Sequence, residues 1–337
     1  MNFKNKITKL HYDKNSKSFI LKLLSILAFF YEKVTCIRNI LYDKNILKSE
    51  KVDTYVISVG NLTTGGVGKT PVVAELAKYY ISKSKKVAIV SRGYGGKLSN
   101  KEPRLVALRN SIFYTADEIG DEPYWFAKNI ENVAVITCRN RVKAANAIIR
   151  AYHPDIIILD DAFQHRKIKR DLDIVLVDSE KLFGNGKHLP AGPLRENING
   201  LKRANKVLIV NKTRKNLYKE DLPKFFDINK LSFCDVEPES VYNIKTKEIL
   251  PKNSDVVAVC AIGQPEQFYN FVDESYNILE IITYEDHHSY EISEIKKIKG
   301  NIITTEKDAA KLEKFNLDNI YAMRLKLSLD IERLIND

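Results

Sequence analysis

The sequence predicts an α/β fold with a doubly wound parallel sheet, and three observations support this prediction. Short runs rich in β-branched residues alternate with amphipathic stretches from residue 54 onward. These runs are continuously apolar, which is typical of strands covered on both faces of a parallel sheet. A glycine-rich segment follows the first run, and two aspartates follow the fourth. Alternating strands and helices of this kind indicate a layered α/β domain whose ligands bind beyond the strand ends.

Length, charge and cysteine spacing narrow the class of protein. With 337 residues, 44% of them hydrophobic and 29% charged, the chain is expected to be globular and to form two domains. The net charge of +11 favours an acidic partner, which nucleic acid, an anionic membrane surface or a phosphorylated substrate could each supply. The four cysteines stand far apart, so neither a disulfide framework nor a structural zinc site is expected, and a reducing compartment is the default.

The N-terminal segment differs in composition from the rest of the chain. Residues 1–22 carry six lysines against one acid, Asp13, and an apolar stretch follows at 19–31. The large apolar residues of this stretch recur at helical spacing, which predicts an amphipathic helix. The stretch is shorter than the roughly 20 residues that cross a bilayer, and no signal-peptide cleavage site follows it. Two alternatives remain, a core helix with a solvated basic tail and a helix lying in the membrane interface. The sequence pattern alone is more typical of the core helix.

The strands and helices that follow divide into a larger and a smaller part. Amphipathic helices are expected at 72–80 and 141–152, between runs predicted as strands. Residues 213–253 are more polar and lose the alternation, so we predict that a second, smaller α/β lobe is joined through them. The predicted domains are an N-terminal segment at 1–40, a main domain at 41–235 and a smaller domain at 236–337. The predicted strands lie at 55–59, 87–90, 133–137, 156–159, 174–177, 207–210, 256–260, 278–283, 302–304 and 320–325.

The glycine-rich segment at 60–71 carries the strongest chemical signal. Its glycines let successive backbone N–H groups converge on phosphate oxygens, and the helix that begins near Thr70 adds a partial positive charge. Lys69 would reach the β- and γ-phosphates of ATP, and the Thr70 hydroxyl would bind Mg²⁺. The usual phosphate loop has a glycine where this chain has Thr63, yet the strand before and the helix after favour a nucleotide site over a ligand-free turn. The predicted nucleotide-binding residues are Gly60, Asn61, Thr63, Thr64, Gly65, Gly66, Val67, Gly68, Lys69, Thr70 and Pro71.

Two carboxylates mark the end of the apolar run at 156–159. Asp160 and Asp161 follow this run directly. At the carboxyl end of a parallel strand they would face the phosphate loop and hold or order magnesium. Strands often end in aspartate, so the run alone is weak evidence. Together with the phosphate loop upstream, it predicts a Mg²⁺ site formed by Thr70, Asp160 and Asp161.

Two other nucleotide-binding classes fit the loop less well. Guanine-specific switches read their base with an Asn-Lys-x-Asp signature, whereas the segment 211–214 ends in Arg214, which cannot accept the guanine N–H groups. Partitioning and cell-division ATPases share the glycine core but carry a lysine where this chain has Thr64. A partitioning ATPase therefore remains the alternative to a kinase, and it too could use a membrane-surface helix.

A kinase also needs a group that orients the acceptor hydroxyl. Asp121 stands at a predicted helix start, where capping is the ordinary role and a general base is the functional one. His287 follows a predicted strand and is either a surface residue or part of an Asp–His pair that orients a base. Arg92, Arg141 and Arg195 lie near predicted strand ends, and in the crevice beyond the strands they would meet phosphate groups.

These segments, in this order, resemble one family, the tetraacyldisaccharide 4′-kinases of lipid A synthesis in Gram-negative bacteria. The resemblance covers nearly the whole chain, including the basic, apolar N-terminus. The string Leu-Pro-Ala-Gly-Pro-Leu-Arg-Glu and the variant phosphate loop are especially specific. One departure is Ala162, which stands where the family has glycine, so that the turn after the carboxylates must accept a Cβ atom. The segments that carry the resemblance are 60–71, 91–96, 120–123, 160–165, 189–196, 286–288 and 305–308.

The resemblance implies a P-loop NTPase-like fold and an ATP- and Mg²⁺-dependent lipid kinase. Its substrate would be a tetraacylated glucosamine disaccharide 1-phosphate in the membrane, whose 4′-hydroxyl is phosphorylated to form lipid IVA for lipopolysaccharide. The enzyme would be peripheral, on the cytoplasmic face of the bacterial inner membrane, without a nucleic-acid partner. The N-terminal helix then becomes an interfacial anchor, and the anionic lipid surface and the substrate's 1-phosphate become the acidic partners of the chain.

The resemblance also implies roles for individual residues. Asp121 would be the general base, His287 would assist it from the smaller lobe, and Lys69 would hold the phosphates. The site would be complete only when the lobes close, and closure would exclude water. The implied contacts to the acceptor substrate are Arg92, Tyr94, Arg195 and Glu196.

Overall fold

The computed structural model describes residues 7, 10–13, 18–213, 222–263, 265–285 and 288–336. Within these ranges thirteen strands form one sheet with buried apolar clusters on both faces, which confirms the predicted α/β class. The strands are β1 Tyr55–Asn61, β2 Val87–Ser91, β3 Arg104–Arg109, β4 Ser111–Ile112, β5 Val133–Thr137, β6 Ile156–Asp160, β7 Leu172–Asp178, β8 Lys206–Asn211, β9 Leu231–Asn243, β10 Asp255–Cys260, β11 Asn277–Thr283, β12 Asn301–Thr305 and β13 Ile320–Ser328. The α-helices are α1 Phe19–Asp43, α2 Lys69–Ser82, α3 Ala116–Ile119, α4 Asp121–Asn129, α5 Arg141–Tyr152, α6 Glu266–Asp273, α7 Ile292–Ile295, α8 Glu306–Leu312 and α9 Ile331–Asn336.

The larger part of the sheet is parallel and brings the predicted site segments together. Its strand order is β5-β2-β6-β1-β7-β8, and the antiparallel strands β3 and β4 lie beyond β5. Strand β1 lies between β6 and β7, with Val59 paired to Asp160. The carboxyl ends of parallel strands meet at one edge of a sheet. The glycine-rich loop after β1 and the two aspartates at the end of β6 are therefore neighbours.

Two apolar layers hold these strands in place. Successive side chains of a strand point to opposite faces, so Ile57 and Ile158 join one buried cluster while Val56 and Ile157 join the other. Helix α2 packs on the first layer and α5 on the second. Burial on both faces is the reason that the strand sequences are continuously apolar. It also fixes the strand ends from which the loops of the site project.

Strand β9 joins the two lobes and was not predicted from the sequence. Its residues 231–235 pair in parallel with β8, and residues 235–243 pair antiparallel with β13. The strands of the smaller lobe continue the sheet in the order β9-β13-β12-β10-β11. The polar segment expected only to connect the lobes thus contributes a sheet strand to both. The division of the chain at 235/236 stays a prediction, and it falls where β9 changes partner.

Helix α1 extends twelve residues beyond the predicted stretch, ending at Asp43 rather than at residue 31, and it leaves an apolar stripe exposed. Its buried side packs Leu21 and Ala28 against Ala191 of the 189–196 segment. Among the described residues, no helix combines the length and the apolar content that a membrane span needs. The structure contradicts the core-helix alternative, because the apolar stripe of α1 is exposed to solvent. The exposed stripe consists of Leu23, Leu27, Phe30, Val34 and Ile37, which are 57% to 66% exposed.

Candidate active site

The phosphate loop connects β1 to α2 and depends on backbone positions that suit glycine. A Cβ atom on Gly60 would lie only 2.6 Å from the Cβ atom of Phe163, so the two chain segments approach as closely as glycine allows. Gly68 adopts a φ of +102° immediately before α2, in the left-handed region that glycine tolerates. Lys69 is the first residue of α2, and its Nζ atom donates a 3.3 Å hydrogen bond to Oδ1 of the buried Asn61. The loop therefore has the strand-to-helix form that a phosphate site requires.

The 189–196 segment is tied to this loop through the main chain. The amide of Thr64 donates to the carbonyl of Pro193 at 2.8 Å, and the amide of Arg195 donates to the carbonyl of Leu62 at 2.8 Å. These bonds hold the Arg195 side chain beside the carboxylates that follow β6. The segment thus has a structural role, which is to hold a cation, Arg195, beside the phosphate loop.

Asp161 is the fully ionised member of the carboxylate pair. Arg195 contacts both of its oxygens, at 2.7 and 2.9 Å, and Lys69 lies 3.6 Å away. Burial alone would raise the pKa of Asp161, but Lys69 and Arg195 hold it well below its usual value. Asp161 also carries the positive φ of the turn, +47°, which aspartate tolerates, while Ala162 next to it is fully buried. The alanine that replaces the family's glycine therefore occupies a position that needs no left-handed backbone.

The negative charge of Asp160 is less well compensated by neighbouring cations than that of Asp161. It is almost fully buried, one oxygen accepts a hydrogen bond from Ser91 at 3.1 Å, and the other has no partner among the described residues. Burial, followed by the charges of Glu122 and Asp161, raises the pKa of Asp160 to about 7. A buried carboxylate oxygen without a partner suits a cation. The fit to Mg²⁺ is therefore better for Asp160 than for Asp161.

A dedicated all-protein metal cage is absent from the described part of the chain. No group of three or more His, Cys, Asp or Glu side chains there could hold a metal ion. Magnesium in nucleotide sites ordinarily takes one or two carboxylates, with the remaining ligands from phosphate and water. Asp160 and the Thr70 hydroxyl line one cavity with the glycines of the loop, which agrees with a site completed by a nucleotide.

The predicted substrate contacts occupy different layers of the site. Arg92, Tyr94 and Arg195 line the cavity. Glu196 does not line the cavity and is fully buried, with hydrogen bonds from Arg203 at 2.7 Å and from Gln164 at 2.9 Å. Burial alone would raise the pKa of Glu196, but these bonds lower it. A direct contact between Glu196 and substrate stays a prediction.

Asp121 forms a buried ion pair with the other lobe. It begins α4, and its carboxylate lies 2.9 Å from Nζ of Lys311 on α8, with both side chains largely buried. Lys311 also donates to the carbonyl of His288 at 3.1 Å. His287, predicted to assist Asp121, lies outside the described residues. Lys311 was not predictable from the sequence, since nothing in its local pattern distinguishes it from a surface lysine.

One cavity of about 1740 Å³ connects the phosphate loop with the carboxylates that follow β6, and Glu122 lines it, whereas its neighbour Asp121 does not. Its wall includes the phosphate loop, the ends of β6 and β2, residues of β13 and α8 from the smaller lobe, and Tyr31 and Arg38 of α1. Ligand pockets commonly measure about 300–1,000 Å³. The volume therefore leaves room for a nucleotide and a second substrate at once.

Comparisons with known proteins agree with this geometry. A family model described as "Tetraacyldisaccharide-1-P 4'-kinase" matches residues 20–337. Curated tetraacyldisaccharide 4'-kinases from Halothermothrix orenii and Aquifex aeolicus are each 35% identical, over 94% and 90% of this chain and 92% and 93% of their own. A crystal structure of LpxK from Aquifex aeolicus in complex with ATP matches with a TM-score of 0.76 at 32% identity, covering 94% of this chain and 96% of that one. The chain therefore belongs to the tetraacyldisaccharide-1-phosphate 4′-kinase family.

Proposed function

We propose that this protein transfers the γ-phosphate of ATP to the 4′-hydroxyl of a tetraacyldisaccharide 1-phosphate, forming lipid IVA in lipid A biosynthesis. The observation that carries the proposal is the single cavity that runs from the phosphate loop to the exposed helix α1. A nucleotide phosphate chain fits one end, and the other end opens beside an apolar stripe. Such a cavity suits the transfer of phosphate from a soluble donor to a lipid acceptor.

The phosphate loop and its neighbours supply binding and charge. The backbone N–H groups of Gly65 to Gly68 and the start of α2 would hold the β- and γ-phosphates, with Lys69 between them and Asp161. Mg²⁺, held by Asp160 and Thr70, would neutralise charge on the phosphate oxygens when bound. Phosphoryl transfer needs little covalent help from protein, so positioning and electrostatics should account for most of the rate enhancement.

Asp121 is our candidate for the general base. It would accept the proton of the 4′-hydroxyl as the oxygen attacks the γ-phosphorus, and His287 would assist it. The support is its position at the start of α4, next to Glu122, whose side chain lines the cavity. The ion pair with Lys311 would keep the carboxylate ionised and oriented until the hydroxyl arrives.

Helix α1 is our candidate for attachment to the membrane. Its apolar stripe would lie among the acyl chains, and the net charge of +11 would favour an anionic surface. We propose that the protein works as a peripheral enzyme on the cytoplasmic face of the bacterial inner membrane, with no nucleic-acid partner. A substrate with four acyl chains stays in the bilayer, so its kinase must come to the surface.

The direct test is incubation of the purified protein with labelled ATP, Mg²⁺ and tetraacyldisaccharide 1-phosphate, followed by lipid chromatography. We expect a labelled lipid with one more phosphate, and no label transfer by the Lys69→Ala variant, which lacks the phosphate-binding cation. ATP hydrolysis with ATP-dependent dimerisation and no labelled lipid would favour the partitioning ATPase instead.

A further inference from the structure

The segment that follows β8 places a buried lysine against the phosphate loop. Nζ of Lys212 donates a hydrogen bond to the main-chain carbonyl of Gly66, in the middle of the glycine-rich loop. The same Nζ atom lies 3.2 Å from Oδ2 of Asp178, at the end of β7, and the side chains of Lys212 and Asp178 are only 12% and 9% exposed. A buried ammonium group needs partners for its charge, and this one finds them in a carboxylate and in the loop.

Two residues next to Lys212 in the chain direct it toward the loop. Oδ1 of Asn211, the last residue of β8, accepts hydrogen bonds from the amide of Thr213 at 3.2 Å and from its hydroxyl at 3.1 Å. These bonds close a tight turn around Lys212, because an asparagine that bonds two residues further on mimics a backbone turn. The Asn-Lys-Thr segment therefore has a structural use in this chain, although it lacks the aspartate of the guanine-specific signature.

Asp178 is a rigid partner for Lys212. Its Oδ1 atom accepts hydrogen bonds from the amides of Glu180 at 3.1 Å and Lys181 at 3.0 Å, while its Oδ2 atom faces Lys212. Strand β7, which ends at Asp178, pairs with β1 on one side and with β8 on the other. Burial lowers the pKa of Lys212, and the carboxylate of Asp178 opposes this shift. The sheet therefore holds the lysine, and the lysine in turn holds the loop.

The part of the loop that Lys212 contacts has little support from packing. Gly65 and Gly66 are exposed, and a Cβ atom added to Gly66 would meet no described residue beyond its chain neighbours within 4 Å. The amide of Val67 donates to the carbonyl of Gly65 at 3.2 Å, which closes a turn across Gly66. The carbonyl of Gly66 and the amide of Val67 belong to one planar peptide unit, so a bond that fixes the carbonyl also fixes that amide.

We propose that Lys212 is a positioning residue for ATP, which holds the phosphate loop in the form that binds the β- and γ-phosphates. The inference rests on the ATP site of the proposed function, and it does not depend on the lipid acceptor. Lys212 acts through the loop, because Gly66 and Asp178 already engage its ammonium group, and Lys69 remains the cation that contacts the phosphates. A loop that is fixed before ATP arrives loses less conformational freedom on binding, so the lysine raises the affinity for ATP.

The test measures nucleotide binding to the full chain by displacement of a fluorescent ATP analogue in the presence of Mg²⁺. We expect Lys212→Met to weaken ATP and ADP binding by about tenfold to a hundredfold, because a charge-assisted hydrogen bond to the loop is lost. AMP, which lacks the β- and γ-phosphates, should lose far less affinity. In lipid phosphorylation the KM for ATP should rise, while the KM for the acceptor should not change.

Asp178→Asn separates positioning from direct contact. The new side chain keeps an oxygen for the amides of Glu180 and Lys181 but loses the charge that holds Lys212. If Lys212 acts through the loop, ATP binding should weaken in this variant too, by about threefold to tenfold. A lysine that touched the phosphates directly would instead be released by the change. ATP binding that stays equal or becomes tighter in Asp178→Asn would therefore overturn the proposal.

Lys230→Met is the matched control, because Lys230 also donates to main-chain carbonyls, those of Lys202 and Ala204, but does not line the cavity. It should leave ATP affinity within about twofold. Lys212→Arg, which keeps a cation with several donors, should recover part of the affinity. Unchanged ATP binding by Lys212→Met would overturn the proposal, as would an equal loss for ATP and AMP, which would assign Lys212 to the nucleoside. A wild type that binds ATP but phosphorylates no lipid would refute the proposed function and leave this inference standing.

Discussion

Asp121 is the residue on which the proposed chemistry depends most. We expect Asp121→Asn to lower phosphoryl transfer by about 10²–10⁴-fold, because the amide cannot accept the hydroxyl proton. ATP affinity should change little, since the phosphate loop is untouched. Steady-state lipid phosphorylation and a fluorescent-nucleotide titration measure the two effects separately.

Asp117→Asn is a suitable control for that substitution. Asp117 is a partly exposed aspartate on α3, and it too pairs with a lysine of the smaller lobe, Lys314, at 3.7 Å. Its amide variant should keep near-normal activity. Near-full activity of Asp121→Asn would exclude Asp121 as the base.

The raised pKa of Asp160 predicts that metal binding depends on pH. Its pKa of about 7, raised mainly by burial, means that the carboxyl is protonated below pH 7 and ionised above it. A protonated carboxyl is a poor ligand, so Mg²⁺ affinity should rise between pH 6 and pH 8, with release of a proton on binding. Calorimetry in buffers of different ionisation enthalpy measures that proton, and Asp160→Asn should abolish the part of it that the protein contributes. Equal Mg²⁺ affinity at pH 6 and pH 8 would contradict this assignment.

Single residues of the site were predictable where a local motif defines them. Lys69 and Thr70 follow a glycine loop, and Asp160 ends an apolar run, so chain order alone identified them. The different states of Asp160 and Asp161 could not be predicted, since they depend on Arg195, more than thirty positions away, and on burial by neighbouring strands. The pairing of Lys311 with Asp121 depends in the same way on tertiary packing.

At the scale of elements, helix α1 gives a prediction about membranes. Replacing Leu23, Leu27 and Phe30 by serine should weaken sedimentation with anionic liposomes at least tenfold, because each side chain loses about 1.5–3 kcal/mol of apolar burial. The matched control is a triple serine variant of exposed apolar residues in the smaller lobe. These control positions are Leu279, Ile281 and Ile292. Equal liposome binding by the stripe variant and the wild type would disprove the anchor.

The exposed thiol of Cys36 on α1 offers an independent readout. Cys138 is fully buried, and burial raises the pKa of Cys234 to about 12 and that of Cys260 to about 11, so these thiols should resist labelling at pH 7.5. A polarity-sensitive fluorophore should therefore attach to Cys36 alone. Its emission should shift to shorter wavelength when anionic liposomes are added, and the stripe variant should lose the shift.

The contact between α4 and α8 connects the catalytic aspartate to the smaller lobe. Lys311→Met should lower stability by about 3–5 kcal/mol, because it removes the cationic member of a buried ion pair. The acid limb of the pH–rate profile should also move to higher pH, because the Lys311 charge, which favours the ionised form of the Asp121 carboxylate, is then missing. Lys314→Met, on the same lobe but more exposed, should change neither quantity. A loss of stability with an unchanged pH profile would reduce Lys311 to a structural role.

Strand β9 was not predicted because of its composition. It mixes apolar residues with charges and a proline, and it has an antiparallel neighbour and partly exposed faces. A search for continuous apolar runs finds strands covered on both faces and passes over a strand of this kind. Parallel strands such as β1 and β6 were therefore predicted closely.

At the scale of the whole molecule, the shared sheet predicts cooperative unfolding. Strand β9 belongs to both lobes, and one buried cluster contains residues of both, such as Ile158 and Ile303. Ile158→Ala and Ile303→Ala should each cost about 2–5 kcal/mol and lower the same thermal transition. Differential scanning calorimetry measures this. Two transitions, each moved by only one of the substitutions, would mean that the lobes fold independently.

The whole-molecule arrangement explains why the fold class was predictable and the cavity was not. The alternation of strands and helices predicts the α/β class, and the phosphate loop predicts the edge of the sheet where ligands bind. The cavity, by contrast, needs walls from α1, from the parallel sheet and from the smaller lobe. Contacts between such distant segments leave no periodic pattern in the sequence.

The two-sided helix α1 has a practical consequence for anyone who prepares this enzyme. Truncating an N-terminal hydrophobic segment is a common way to improve the yield of a protein that sticks to detergents and lipids. Here the cut would also remove Tyr31, Arg38 and Asn39, and with them one wall of the cavity. A monodisperse sample for crystallisation or inhibitor screening is better obtained by substituting polar residues for the exposed apolar stripe while the helix stays in place.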